Sequence, residues 1–158
     1  MKGDPKIIDH LNQVLKAELT AINEYFLHAE MMENWGYKKL ASLTRRESID
    51  EMKHAERLIE RILFLDGAPV MHELLELNIG ESVNQQFAND LQLELKAVDR
   101  LNRAINAAVE AGDNGSRELF ESILTDEEEH VDFLEAQLHM IKEMGYANYL
   151  ALQMEGEG

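Results

Sequence analysis

The sequence predicts an all-α fold: a four-helix bundle with a long crossover between the second and third helices and a short fifth helix at the C-terminus. Three observations carry that expectation. Apolar residues recur at steps of three and four through four long stretches, the period of helices buried along one face. Only nine Gly and two Pro interrupt 158 residues, and strong helix formers abound. The stretches also fall into two pairs, each parted by a Gly where a helix is expected to end, Gly36 in the first and Gly112 in the second.

The first helix starts at Asp4-Pro5, with Asp as N-cap and Pro at the first helical position, and runs to about Asn34. Its stripe is Ile8, Leu11, Leu15, Glu18, Ile22, Tyr25, Ala29 and Met32. The second helix spans about Lys38 to Leu65 and is stopped by Asp66-Gly67-Ala68-Pro69. Its stripe is Leu40, Leu43, Glu47, Glu51, His54, Leu58, Ile62 and Leu65. The connection from Asp66 to Ser82 is long for adjacent bundle helices, which need only about 2–8 residues. Extended, it reaches over about 55 Å, enough to return along the bundle and start the third helix at the opposite end. A plain up-down order is the alternative; the length favours the crossover.

The third helix begins after Glu81-Ser82 and runs to about Ala111, with Phe87, Leu91, Glu94, Val98, Leu101, Ile105 and Ala108 as its stripe. The fourth begins near Ser116, read as its N-cap, and ends near Gly145. Phe120, Ile123, Glu127, His130, Leu134, Leu138 and Ile141 form its stripe. A last segment, about Ala147 to Gln153, has the length of one or two helical turns. No linker or low-complexity stretch divides the chain, so residues 1–158 are expected to form a single domain.

Six residues stand where these stripes call for apolar side chains. Glu51 and His54 form one Glu-x-x-His, and Glu127 and His130 form another. Residues three apart on a helix share a face, so each carboxylate and imidazole point the same way. Glu18 precedes Glu51 by 33 residues, and Glu94 precedes Glu127 by the same interval. Read as hairpins, both intervals have equal arms that carry each Glu level with its Glu-x-x-His, about 25 Å from the turn. One Glu from each of two helices, plus a Glu-x-x-His from each of two others, is the known ligand set of di-iron and di-manganese carboxylate bundles. Energetics points the same way. A buried, unpaired carboxylate costs several kcal/mol, and no Lys or Arg interrupts the four stripes. Such carboxylates either share protons or bind cations. Two divalent ions balance four Glu, and the mixed oxygen and nitrogen set suits iron or manganese, with zinc competing on affinity.

Composition narrows the partners. There is no Cys, which excludes disulfides, zinc–thiolate sites, iron–sulfur clusters and a rubredoxin-type module. A formal net charge of −16 argues against nucleic acid and suits attraction of cations. No apolar run approaches a membrane span, and the N-terminus has no signal-peptide core. A cytoplasmic location is expected. His10, His28, His72 and His139 each lack a Glu three residues earlier and stay outside the site. Glu24 and His28, four apart, are read as an exposed helix face.

With these residues in hand, the chain resembles a bacterioferritin, of the ferritin-like fold, over essentially its whole length. The resemblance lies in Met1-Lys2-Gly3-Asp4, Tyr25-Phe26-Leu27-His28, Asn34-Trp35-Gly36, Glu47 through Ala55, Glu60 through Leu65, Asn78-Ile79-Gly80-Glu81 and Asp126-Glu127-Glu128. It implies iron storage and detoxification: a shell of 24 subunits that oxidises Fe(II) with O₂ or H₂O₂, a ferroxidase reaction, and keeps the ferric mineral inside. It further implies that Glu51 and Glu127 bridge two irons, with Glu18 and His54 completing one and Glu94 and His130 the other. Tyr25, by residue type a plain core residue, is by the resemblance an electron donor.

Met52 reads first as a packing residue facing away from the metal ligands. The resemblance makes it one of two Met ligands to a haem b shared by two subunits. Leu19, Ile22, Asn23, Phe26 and Ile49 would line that haem, and a ferredoxin-type donor would drive iron release. Two positions depart from the family. Arg46 stands where many relatives carry a His that, with Asp50, forms an iron site on the inner wall, and a guanidinium cannot ligate iron. Arg45 likewise replaces an aromatic residue. Two rival functions fit the same bundle: a di-iron peroxide reductase without a shell, and a non-enzymatic helical scaffold that carries haem.

Overall fold

A computed structural model describes residues 1–155. Four long helices follow one another, α1 (Pro5–Trp35), α2 (Lys38–Phe64), α3 (Val83–Ala111) and α4 (Asn114–Met144), then a short α5 (Tyr146–Ala151). Their ends obey the local chemistry of the sequence. Asp4 accepts a hydrogen bond from the Lys6 amide, and Ser82 caps α3 by accepting from the Gln85 amide. Gly36 and Gly112 close α1 and α3 at φ of 93° and 69°, a left-handed geometry that costs Gly little. The start of α4 differs from expectation. Its cap is Asp113, whose carboxylate accepts from the Ser116 amide and hydroxyl. Ser116 sits buried in the first turn, where Arg61 donates to its hydroxyl. The end of α2 differs too: Asp66, not Gly67, takes the left-handed conformation, at φ 60°.

The connection between α2 and α3 is a crossover. At its start Gly3 donates to the Leu65 carbonyl, beside the beginning of α1. It then climbs α1 on a ladder of side chains. Asn12 accepts from the Val70 amide, Thr20 from Leu75, Glu24 from Asn78 and His28 from Gly80. These rungs share one face of α1, spaced by multiples of four. The chain therefore reaches Ser82 at the C-terminal end of α1, and α3 starts there, parallel to α2.

The bundle interior holds two apolar clusters. Ile7, Leu11, Leu15, Leu58, Ile62, Leu101, Phe120 and Ile123 fill one end. Met32, Leu40, Val83, Phe87, Leu134 and Tyr149 fill the other, where the Tyr149 ring of α5 meets Phe87 edge-on. At the start of α1 the buried residue is Ile7, not the expected Ile8, which packs at the edge of the cluster. Between the two clusters lies a polar layer. Among the described residues no helix is long and apolar enough to cross a membrane.

Candidate metal centre

That layer is made of the six residues the spacing singled out. Each of α1 and α3 contributes one Glu, Glu18 and Glu94, and each of α2 and α4 contributes its Glu-x-x-His. All six are buried; His130, the most open, is 8% exposed. They divide into two overlapping quartets, each with ligand atoms within 4.8 Å of one another: Glu18, Glu51, His54 and Glu127, and Glu51, Glu94, Glu127 and His130. Glu51 and Glu127 belong to both. Glu127 spans the pair, with Oε1 3.0 Å from Nδ1 of His54 and Oε2 3.8 Å from Nδ1 of His130. Oε1 of Glu51 lies 3.4 Å and 3.3 Å from the same two nitrogens. Both rings thus turn Nδ1 inward.

The donor set fits a pair of cations. Nδ1 of both rings, both oxygens of Glu127, and one oxygen each of Glu18, Glu51 and Glu94 are buried without an aligned hydrogen bond among the described residues. Orphans of that kind are rare in folded proteins. The protonation equilibria carry the same strain. Burial pushes the Glu51 and Glu94 carboxyls well up, reinforced by their carboxylate neighbours, and burial likewise raises Glu18. Glu127 goes the other way: burial opposes its charge, but the close approach of Glu94, His130, His54 and Glu51 holds it well below the usual range. Burial also opposes charge on the rings, yet the surrounding carboxylates lift His54 to about 11 and His130 to about 12. Without a metal ion the cluster must hold protons in its place.

Tyr25 completes the layer. It is buried, its hydroxyl donates to Oε1 of Glu94, and its ring meets His130 edge-on with centroids 6.4 Å apart. It stands two helical turns after Glu18 on α1, and its hydroxyl lies on the Glu94 side of the layer. Glu47, one turn before Glu51, is also buried, and burial raises its carboxyl to about 7. Asp50, Lys53, Arg57, Asp126 and Glu129 surround His54 and His130 in a cleft that opens the layer to the surface.

A third acidic cluster corrects the reading of α1. Glu24 and His28 do not lie on an exposed face; both are fully buried, together with Asp90 of α3. The Gly80 amide donates to Nε2 of His28 (3.0 Å), so the ring proton sits on Nδ1, 2.9 Å from Asp90. Burial and the neighbouring Glu24 push the Asp90 carboxyl well up, and Oε1 of Glu24 accepts from the Asn78 amide. A cation here would have to strip His28 to an imidazolate. The cluster is a clasp for the crossover. The sequence concealed it because its partners are loop amides, which have no side-chain pattern. His72 and His139 are exposed and His10 is half-buried.

On the outer face, Leu19, Ile22, Met52, Ala55, Ile59 and Met71 line an apolar groove of about 490 Å³. Met52 is 49% exposed there. Asn23, Phe26 and Ile49 lie outside this lining; Phe26 and Ile49 are exposed nearby, and the Asn23 amide bonds back to the Leu19 carbonyl.

Comparison with known proteins agrees with the geometry. The ferritin-like domain of the ferritin family matches residues 8–144. A bacterioferritin of Streptomyces coelicolor is 49% identical over 155 residues, covering 98% of this chain and 93% of its own. A bacterioferritin of Mycobacterium tuberculosis is 46% identical, covering 96% and 95%, and one of Rhodobacter capsulatus 44%, covering 96% and 94%. With four helices closing on two carboxylate–imidazole quartets, and likeness that spans almost the entire sequence, the chain belongs to the ferritin family and, within it, to the bacterioferritins.

Proposed function

We propose that this protein stores iron and is a ferroxidase, oxidising Fe(II) at the centre formed by Glu18, Glu51, His54, Glu94, Glu127 and His130. The observation that carries this reading is the pair of buried quartets sharing Glu51 and Glu127. Two Fe(II) ions are the substrate, one held by Glu18 and His54, the other by Glu94 and His130, with Glu51 and Glu127 bridging. Binding drives off the protons that the cluster otherwise holds. Two Fe(II) give up one electron each, and O₂ takes both with two protons to leave H₂O₂; H₂O₂ as oxidant takes two electrons and two protons to leave water. Carboxylates suit the step because they shift between bridging and terminal modes as the metal charge rises. Tyr25, hydrogen-bonded to Glu94, is placed to supply a further electron.

Replacing Glu51 or Glu127 by Ala reduces the initial rate of Fe(II) oxidation to that of the buffer while the assembly survives. Undiminished rates in both variants refute the assignment. The ferric product belongs inside a shell of 24 chains, about 430 kDa from 18.1 kDa subunits. Size exclusion after iron addition tests this: a small oligomer that turns over peroxide favours a reductase, and no iron uptake favours a scaffold. Exposed Arg46 offers no lone pair to an inner-wall iron site, where Asp50 and Glu47 remain.

The apolar groove fits one half of a haem site. Met52 would be the ligand and Leu19, Ile22 and Met71 the walls, with a second copy of the chain supplying the other half. A haem with thioether ligation supplies electron transfer rather than O₂ binding. Met52→Leu should abolish the Soret band of haem-loaded protein; an unchanged spectrum refutes the role.

A further inference from the structure

We infer that Asp126 is a positioning residue that presets the His54 ring, and that the Glu18–His54 half of the centre is therefore the tighter divalent-cation site. The inference rests on the reading of the six buried residues as metal ligands. Each Glu-x-x-His is preceded by an Asp, giving Asp50-Glu51-x-x-His54 on α2 and Asp126-Glu127-x-x-His130 on α4. The two helices are antiparallel, so the Asp that opens one motif stands level with the His that closes the other. The pairing is crosswise. Asp126 meets Nε2 of His54 at 2.8 Å, and Asp50 approaches Nε2 of His130 at 3.7 Å.

A neutral imidazole has one lone pair, and its position follows the hydrogen bond made by the other nitrogen. Nε2–H of His54 donates outward to Asp126, so the ring proton that a cation displaces is the one on Nδ1, and the lone pair it leaves is buried and aimed at Glu127, Glu51 and Glu18. The ring is fixed in rotation before any cation arrives, and in tautomer as soon as Nδ1 gives up its proton. His130 is not held in this way. A distance of 3.7 Å is beyond a hydrogen bond, and its side chain is 10% exposed against 3% for His54. Its ring must settle as the cation binds, which weakens that half relative to the other. Outer partners of ligating imidazoles typically contribute 10–100-fold to metal affinity.

Anaerobic titration of metal-free protein with Co(II), followed by its visible d–d bands, tests this apart from turnover. Wild type takes up two Co(II) per chain in two resolved steps, and Glu18→Ala removes the tighter one. Asp126→Ala weakens the tighter step about 10–100-fold. Asp126→Asn keeps an oxygen acceptor for Nε2–H and stays within about fivefold of wild type, and Asp50→Ala shifts the tighter step less than about threefold. Asp126 is 46% exposed on the helix surface, so the fold tolerates these changes. Asp126→Leu, shaped like Asn but without an acceptor, repeats the contrast should the Ala variant fail to assemble. The inference is overturned if Asp126→Ala binds as wild type does, if Asn is as weak as Ala or Leu, or if Asp50→Ala costs as much as Asp126→Ala. Wild type that binds no Co(II) overturns the ligand assignment as well, an outcome distinct from the other three.

Discussion

Loading the centre with two divalent cations should expel about four protons per chain near pH 7, two for each cation. The figure follows from charge balance. With pKa values lifted to about 11 and 12, both His54 and His130 are imidazolium in the metal-free protein. Two imidazolium charges balance two of the four carboxylates, one of which is Glu127, whose carboxyl is held well down. Charge balance then leaves two of Glu18, Glu51 and Glu94 protonated, the direction in which burial shifts all three. Metal ligation needs neutral rings and ionised carboxylates, so two ring protons and two carboxyl protons must leave. Protons compete with the metal, and affinity falls as pH falls. With two protons displaced per cation, it drops about 100-fold per cation for each pH unit through the range where the cluster stays protonated. Calorimetric titration of metal-free protein with Zn(II) reads the number directly, from the slope of apparent enthalpy against the ionisation enthalpy of the buffer. Release of about one proton per cation or fewer would mean that the carboxylates are ionised before the metal arrives, and the charge-balance reasoning would fail.

Two further outcomes concern metal-free protein. Asp90→Asn keeps a polar group beside His28 and Glu24 and should change stability by less than about 1 kcal/mol, whereas Asp90→Ala leaves the His28 ring without its neighbour and should cost about 2–3 kcal/mol; equal losses in urea melts would contradict the part Asp90 plays in the clasp. Glu47, with a folded pKa of about 7 against an ordinary 4.5, stabilises the fold fully below about pH 4.5 and loses that contribution as pH rises through 7. Glu47→Gln should flatten the fall in stability between those limits, worth up to about 3 kcal/mol, and a fall as steep as in wild type would show that the proton sits elsewhere.

Much of this architecture is legible in the sequence because helices repeat. Asp4, Ser82, Gly36 and Gly112 end helices through bonds to their own neighbours, and the stripes place Glu18, Glu51, His54, Glu94, Glu127 and His130 inward without reference to anything distant. What stayed hidden depends on partners from elsewhere in the chain. Ser116 has the side chain of a cap, but Arg61 of α2 draws it into the interior and Asp113 takes its place. Glu24 and His28 resemble a polar surface pair until the crossover lays the amides of Asn78 and Gly80 across them. Asp50 and Asp126 look like two more acids in a chain with 31; only the antiparallel pairing of α2 and α4 sets each opposite the other motif's ring.

The placement of the polar layer explains how the fold tolerates it. Leu58, Ile62 and Phe120 lie to one side and Leu40, Phe87 and Leu134 to the other, all at most 1% exposed, so each end of the bundle closes with apolar packing of its own. Burying one such side chain contributes about 1.5–3 kcal/mol, and two clusters of them offset a middle layer that packs poorly in the absence of metal. The layer does not have to stabilise anything. It is free to hold acids that repel one another and rings that exchange protons for cations, because the apolar ends keep the helices that carry its six ligands in place through the exchange. An apolar residue at Glu51, whose carboxyl is pushed well up by burial, would therefore be expected to stabilise the metal-free bundle while ending its chemistry, whereas one at Glu127 would strand two buried imidazolium rings. Such a gain would identify the layer as a site maintained against the preference of the fold.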